Sequence, residues 1–131
     1  MIPNKVVIAL GSNIEPEENL ELAVVELKSR FKVSKRSRWI RTKAIGILDQ
    51  PDFYNGVLIM ETELGMESLE QELKSIENLM GRDRSKPKFG PRIIDLDILI
   101  WNGKVIDKDY YDRDFLRKVV EEILPDFEST S

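Results

Sequence analysis

The order of strand-like and helix-like segments is the property of this sequence that most restricts its fold. Residues 6–10 form a short apolar run that stops at Gly11, which is typical of a buried strand. Residues 16–31 carry apolar side chains at helical spacing, with acidic residues in the first turn and basic residues in the last. The chain is therefore predicted to begin with a buried strand and an amphipathic helix.

The rest of the sequence repeats this alternation. Residues 32–41 are predicted as a twisted edge strand, residues 56–64 as a strand and residues 69–80 as a second amphipathic helix. Residues 93–101 form a strand rich in β-branched side chains. The order β-α-β-β-α-β predicts an α+β, ferredoxin-like fold, in which helices pack on one face of an antiparallel sheet. The opposite face is then free to hold a ligand.

The end of the chain adds one further helix. Phe115, Val119 and Ile123 recur at helical spacing, and Pro125 ends the pattern. Residues 128–131 are predicted to be a frayed tail. With 131 residues, of which 41% are hydrophobic, the chain is expected to form a single domain over residues 1–131.

The location of the protein is predicted from what the sequence does not contain. No stretch approaches the roughly 18 consecutive apolar residues of a membrane span. The first residues also lack the cleavage pattern of a signal peptide. We therefore expect a cytoplasmic protein, and we expect it to be a monomer.

The sequence has no cysteine and no histidine. Disulfides, thiolate nucleophiles, Cys-type zinc sites and Ser-His-Asp triads are therefore excluded. The groups that remain for chemistry are carboxylates, guanidinium and ammonium groups, hydroxyls and the backbone. Such groups suit phosphates and hard cations.

Asp95 and Asp97 are separated by one residue on the most apolar strand, so their carboxylates point to the same face. Beside Ile94, Leu96 and Ile98, two like charges lose hydration and repel each other unless a cation lies between them. Solvated aspartates or salt bridges to nearby arginines are the alternatives, and the apolar neighbours favour the cation. Without imidazole or thiolate ligands, we expect an all-oxygen Mg²⁺ site.

Basic residues are concentrated in two segments, residues 28–43 with eight and residues 82–92 with five of the 20 Lys and Arg residues. The first segment is interpreted as a solvated face. The second leads directly into Asp95, and arginines beside a Mg²⁺ site could neutralise the charge that develops in polyphosphate transfer.

Two weaker signals concern a flat ligand and a phosphate. Phe53 and Asn55 close a turn-rich stretch and could stack on a heterocycle and bind its edge. Individually, such residues more often belong to a core or a turn. Residues 11–13 resemble a strand-to-helix phosphate turn, but a plain turn is the preferred interpretation.

Four motifs together resemble those of the 6-hydroxymethyl-7,8-dihydropterin pyrophosphokinase family of folate biosynthesis. They are ALGSN at residues 9–13, DQPDFYN at 49–55, IENLMGRDR at 76–84 and FGPRIIDLDIL at 89–99. The resemblance implies a ferredoxin-like fold and the transfer of diphosphate from ATP to the hydroxymethyl group of a pterin. It also implies two Mg²⁺ ions.

The same resemblance implies roles for individual residues. Asp95 and Asp97 correspond to the Mg²⁺ ligands, and with Arg82 and Arg92 they form the implied catalytic group. The implied ATP contacts are Glu77, Arg82, Arg84, Lys88, Arg92, Ile98 and Arg113. The implied pterin contacts are Thr42, Ile45, Phe53, Asn55 and Phe115.

The chain departs from the family pattern after Trp101, where a Pro-His pair that helps to bind ATP is absent. Lys88 and Phe89 also stand where the family often has Arg and Trp. A paralogue that binds pterin or nucleotide without turnover is one alternative, and an RNA-binding module using residues 35–41 is another. The net charge of −4 and the lack of an RNP-type aromatic pattern disfavour RNA. We therefore expect small-molecule substrates, with neither a nucleic acid nor a membrane as partner.

Overall fold

A computed structural model describes residues 2–43, 50–81 and 93–127 of the chain. Within these segments the backbone forms one six-stranded sheet whose pairings are all antiparallel. The strands are β1 (Asn4–Ser12), β2 (Lys32–Arg36), β3 (Ile40–Thr42), β4 (Phe53–Thr62), β5 (Asp95–Trp101) and β6 (Lys104–Val105). Their order is β2-β4-β1-β5-β6, and β3 also pairs with β4. The predicted α+β fold with an antiparallel sheet is confirmed.

Two helices, α1 (Pro16–Arg30) and α2 (Met66–Leu79), pack on the first face of this sheet. Pro16 suits the first turn of α1, because its missing N–H would have had no partner there. The buried apolar side chains of the two helices are Leu20, Ala23, Val24, Leu27, Leu69, Leu73 and Ile76. They meet strand residues such as Ile8 and Met60 in one core cluster, as the sequence periodicity predicts.

The second face of the sheet is covered at one end by α3 (Asp109–Asp112) and α4 (Asp114–Ile123). Here Val7, Val57 and Ile59 form a separate core with Val119 and Val120 of α4. The expectation that all helices lie on one face is therefore wrong for the C-terminal helices. Burying each of these apolar side chains contributes about 1.5–3 kcal/mol to stability. The apolar surface of the strands therefore packs against the apolar side of α4.

The predicted edge strand at residues 32–41 is two strands, β2 and β3, which both pair with β4. Between them, Ser37 Oγ accepts a hydrogen bond from the backbone N–H of Val57 at 2.9 Å. The ring of Trp39 occupies the space beside Gly56, where a Cβ atom would lie 2.5 Å from it. These local contacts replace regular strand pairing and explain the interruption.

An irregularity in β5 changes which side chains share a face. Ile98 pairs with Ile8 but Ile100 pairs with Val7, so Leu99 is an extra residue in the ladder. Leu96 and Ile98 consequently face α1 and α2, whereas Leu99 and Ile100 belong to the second core. Regular strand alternation predicts that Ile100 shares a face with Leu96 and Ile98. This prediction is wrong, because the bulge moves Ile100 to the second face.

The helix ends agree with their sequence signals. Gly81 follows α2 with a φ of 93°, which is the left-handed conformation expected of a terminating glycine. The last helix, α4, ends at Ile123, before Pro125. None of the helices in the described segments has the length and apolar character needed to cross a membrane.

Candidate active site

The other end of the second face carries the polar residues that the sequence singled out. Gly11 of the central strand β1 lies between Asn55 of β4 and Asp95 of β5 in the strand register. One step along the same face, Ala9 lies between Val57 and Asp97. Because strands are about 4.8 Å apart, the backbones at the amide and at the carboxylates are separated by roughly 10 Å.

The two aspartates form a strongly acidic environment. Loss of hydration, followed by the negative charges of Asp95, Asp107 and Glu77, raises the pKa of the Asp97 carboxyl to about 7. The side chain of Asp97 nevertheless reaches solvent at the wall of a pocket. A recessed but accessible carboxylate pair of this kind is stabilised by a bound cation.

The set of ligands available here fits one kind of metal site. In the parts of the chain that the structure describes, no three His, Cys, Asp or Glu side chains lie close enough to enclose a metal ion on their own. Mg²⁺ in nucleotide enzymes is typically held by one or two carboxylates, with substrate phosphates and water completing its octahedron. Asp95 and Asp97 fit that arrangement.

Glu77 has a role that the sequence did not reveal. Its side chain is buried, and Oε2 accepts a hydrogen bond of 2.8 Å from the backbone N–H of Leu96. This contact attaches α2 to β5 between the two aspartates. Glu77 is predicted as an ATP contact, and the structure places it in the wall of the same pocket as Asp97.

This pocket has a volume of 640 Å³ and lies beside the part of β5 that does not pair with β6. Its lining combines apolar side chains with charged ones from α2 and from the segment after β6. The lining residues are Glu70, Leu73, Lys74, Glu77, Leu96, Asp97, Ile98, Ile106, Asp107 and Lys108. Ile98, a predicted nucleotide contact, lies where β6 does not pair with β5.

The bulge in β5 also shapes this pocket. The carbonyl of Leu99 accepts hydrogen bonds from the backbone N–H groups of Ile106 at 2.9 Å and Asp107 at 3.4 Å. These bonds place Asp107 where its charge acts on Asp97. The irregular residue of the strand thus positions part of the acidic environment.

At the other side of Gly11, a polar pair lies on the same face. Asn55 Nδ2 donates a hydrogen bond of 2.9 Å to Thr42 Oγ1, which joins β4 to β3. Phe53, two residues before Asn55 on β4, lies on the same face and is half-buried. The sequence placed Phe53 and Asn55 at the end of a loop, but both lie inside β4, where strand alternation aligns them.

Two further predicted residues come from the C-terminal helices. Phe115 is half-buried and packs against the second core. Arg113 lies at the junction of α3 and α4, where its Nε is 3.5 Å from an Asp109 carboxylate oxygen. Its guanidinium group is therefore anchored within the helical layer.

Five predicted site residues lie outside the described residues, namely Ile45, Arg82, Arg84, Lys88 and Arg92. The residues that flank the second basic segment are described. A Cβ atom on Gly81 would lie 3.4 Å from Ile93 Cδ1, so these two positions are close neighbours. The described part of the chain ends at Gly81 and resumes beside it at Ile93, two residues before Asp95.

The first basic segment, residues 28–43, makes ion pairs with acidic side chains elsewhere in the protein. The pairs are Arg30 with Glu72, Lys32 with Glu61, Arg36 with Glu21, Arg38 with Glu122 and Arg41 with Asp52. Five of the eight basic side chains of this segment are therefore paired with acidic side chains within the protein. This pairing gives no support to a basic surface for RNA.

The residues that lie between the amide and the carboxylates are not evident as site residues in the sequence. Gly11 was interpreted as part of a turn, but it belongs to β1. Ala9 was not singled out. The signal was present in the alternate residues Val7, Ala9 and Gly11, which become smaller toward the site.

Fold and site together define a class of protein. An antiparallel α+β sheet that places an amide, an aromatic ring and a carboxylate pair on one uncovered surface is suited to a small, flat, polar substrate and a charged cosubstrate. The family model for 7,8-dihydro-6-hydroxymethylpterin-pyrophosphokinase matches residues 7–125. The chain belongs to this family.

Individual relatives agree with this assignment. The chain is 36% identical to a 2-amino-4-hydroxy-6-hydroxymethyldihydropteridine pyrophosphokinase of Haemophilus influenzae, over 95% of this chain and 80% of that protein. It is 36% identical to a protein of the same name from Synechocystis, over 78% of this chain and 53% of that protein. A mitochondrial folate synthesis bifunctional protein of Arabidopsis thaliana is 38% identical over 81% of this chain and 19% of its own length. The recognition of the family from its motifs is confirmed, and so is the prediction of a pyrophosphokinase of folate synthesis.

Proposed function

We propose that the uncovered end of the second face is where this chain transfers diphosphate from ATP to 6-hydroxymethyl-7,8-dihydropterin. The observation that carries the proposal is the row Asn55, Gly11 and Asp95 across three neighbouring strands. It separates an amide from a carboxylate by two strand spacings. That separation suits a bicyclic heterocycle whose polar edge binds the amide while its hydroxymethyl group extends toward the carboxylates.

The pterin end of the proposed site consists of Asn55, Thr42 and two aromatic residues. The Asn55 amide is held by Thr42, which reduces the entropy it loses on binding a ligand. Its Oδ1 accepts a hydrogen bond from the heterocycle, and Phe53 and Phe115 supply apolar surfaces for the ring. Ile45 is proposed to complete this end through its backbone.

The nucleotide end consists of the pocket beside β5. Leu73 and Ile106 provide apolar surface for a base, and Lys74 and Lys108 provide positive charge near phosphates. The proposed ATP contacts remain Glu77, Arg82, Arg84, Lys88, Arg92, Ile98 and Arg113. Lys108 replaces, in this proposal, some of the positive charge that the absent histidine of the family pattern would supply.

The reaction forms a bond between the pterin hydroxyl oxygen and the β-phosphorus of ATP. The bond between that phosphorus and the α,β-bridging oxygen breaks, and AMP leaves with the electron pair while the hydroxyl proton is lost to solvent. Asp95 and Asp97 would hold Mg²⁺, two ions in this proposal, and the metal would neutralise phosphate charge when bound. Arg82 and Arg92 are proposed to stabilise the transferring group. Most of the rate acceleration then comes from positioning and electrostatics rather than from a strong base.

The direct test is the release of AMP from ATP that depends on the pterin. We expect AMP to form when the purified chain is incubated with ATP, Mg²⁺ and 6-hydroxymethyl-7,8-dihydropterin, and not when the pterin is omitted. Omitting Mg²⁺ in the presence of a chelator tests the metal separately. Calorimetric binding of the pterin without AMP release at high ATP concentration would instead identify a paralogue that binds without turnover.

A further inference from the structure

The side chains of β1 that lie under the proposed site become smaller toward its centre. On the second face of β1, the side chains decrease in size from Val7 to Ala9 to Gly11. Gly11 lies between Asn55 and Asp95 in the strand register, so β1 contributes no side chain between the amide and the carboxylate. The smallest residue of the central strand therefore lies under the middle of the site.

Backbone conformation does not explain this glycine. Among the glycines that the structure describes, a positive φ occurs at Gly81 and Gly103, whereas Gly11 is in a regularly paired strand. Alanine is compatible with such a backbone, and it loses less conformational entropy on folding than glycine. A glycine at this position carries a cost in stability that the strand itself does not require.

The available space does explain it. A Cβ atom on Gly11 would lie 3.0 Å from Asn55 Oδ1 and 4.0 Å from the carbonyl oxygen of Tyr54. The first distance is shorter than a normal contact between carbon and oxygen, so the Asn55 side chain would have to move. The same amide donates the 2.9 Å hydrogen bond to Thr42 Oγ1, and a shift of a few tenths of an ångström would strain that bond.

We propose that Gly11 is a positioning residue for the heterocyclic substrate: its lack of a side chain sets the place of the Asn55 amide. This inference rests on the proposed function, in which Asn55 binds the pterin. Gly11 itself makes no polar contact with substrate through a side chain, and it acts through Asn55. Its effect is confined to the pterin end, because the nucleotide pocket is lined by residues of α2 and β5 and by those after β6.

The substitution Gly11→Ala tests the proposal, with Gly65→Ala as the matched control. Gly65 precedes α2, and a Cβ atom there meets nothing within 4 Å. We expect Gly11→Ala to raise KM for the pterin about tenfold, as for the loss of one well-placed hydrogen bond, and to change KM for ATP by less than about twofold. Gly65→Ala should leave both constants unchanged.

Two additional measurements separate positioning from a general structural effect. The side-chain amide NMR signals of Asn55 should shift in Gly11→Ala, and this readout needs no turnover. In an Asn55→Ala background, adding Gly11→Ala should have almost no further effect on kcat/KM for the pterin, because the displaced group is gone.

An unchanged pterin KM and unchanged Asn55 signals in Gly11→Ala would overturn the inference. Equal increases in KM for both substrates, or fully additive effects in the double variant, would also overturn it. A wild-type chain without pterin-dependent AMP release would overturn the proposed function, and with it the substrate role of Gly11. The Asn55 signals distinguish these failures, because they report the contact with Gly11 whether or not the enzyme turns over.

Discussion

The two ends of the second sheet face differ although they are built from the same three strands. At one end, Val7, Val57 and Ile59 are covered by α4 and exclude water. At the other, Gly11 separates Asn55 from Asp95 and no described helix covers them. A change of side-chain size and polarity within a few residues of each strand therefore separates a packed core from the proposed binding surface.

Charge distribution also differs between the open end of the second face and the edge of the first face. At the edge of the first face, Glu21 accepts hydrogen bonds from Arg36 at 2.7 Å and from Trp39 Nε1 at 2.9 Å. The open end instead brings together like charges, with Asp107 and Glu77 acting on Asp97. Opposite charges stabilise the protein alone, whereas accumulated like charges favour a bound cation.

The largest expected effect is the loss of activity in Asp97→Ala. Removing one of two carboxylates from the proposed metal site should lower kcat/KM at least about 100-fold. The free energy of unfolding should stay the same or increase, since repulsion between like charges and a loss of hydration are both relieved. Steady-state AMP release and urea unfolding measure the two quantities.

Asp126→Ala is the control for this variant, because Asp126 is an exposed aspartate in the turn after α4. It should affect neither quantity. Near-normal activity in Asp97→Ala would show that the carboxylate pair is not the metal site.

Val120→Ala examines the covered end and should show the second-largest effect. The side chain is fully buried between α4 and the sheet, so its truncation should destabilise the protein by about 2 kcal/mol. The pterin and ATP KM values should change less than about twofold at a temperature where the variant is folded. The same substitution at Val25, which is 63% exposed on α1, should have little effect on stability. A large rise in pterin KM for Val120→Ala would show that the two ends do not function separately.

Glu21→Gln should give the smallest effect, and it should depend on pH. The hydrogen bond from Arg36, followed by that from Trp39, lowers the pKa of Glu21 to about 2. A depressed folded-state pKa means that this stabilisation is complete above about pH 4.5 and is lost as the pH falls toward 2. Because the carboxylate is 55% exposed, solvent screening limits the effect to about 1 kcal/mol.

Urea unfolding of wild type and Glu21→Gln at pH 7 and at pH 2 measures this effect. The difference between the two proteins should shrink at the lower pH. Glu18→Gln, an exposed residue of the same helix, is the control and should show no such change. A difference that is equal at both pH values would contradict the assigned role of the carboxylate.

Much of the fold could be predicted from the sequence because it depends on local periodicity. Pro16 and Gly81 mark helix ends through backbone geometry that any reader of the sequence can recognise. The packing of α3 and α4 on the second face could not be predicted in this way. It depends on how well the apolar side of α4 fits the surface of strands that are distant in the sequence. The bulge at Leu99 is also invisible to periodicity, because one extra residue leaves the local composition unchanged.

The site shows the same division. Asp95 and Asp97 were identifiable because two charges in an apolar strand conflict with the local pattern. Asn55 and Phe53 are only weak candidates for a ligand without the resemblance, since each alone is an ordinary residue. Gly11 required the strand register, because its importance lies in a neighbour 44 positions away along the chain.

The proximity of Gly81 and Ile93 has a consequence for how such a chain can vary. The described fold holds these two positions together, so the free energy needed to close the intervening segment depends only weakly on its length. Doubling the length of a flexible loop adds about 0.6 kcal/mol to the cost of closure. Changes in the number of residues between these positions are therefore compatible with an unchanged sheet and an unchanged place for Asp95, whereas substitution of Arg82 or Arg92 is expected to affect the proposed reaction.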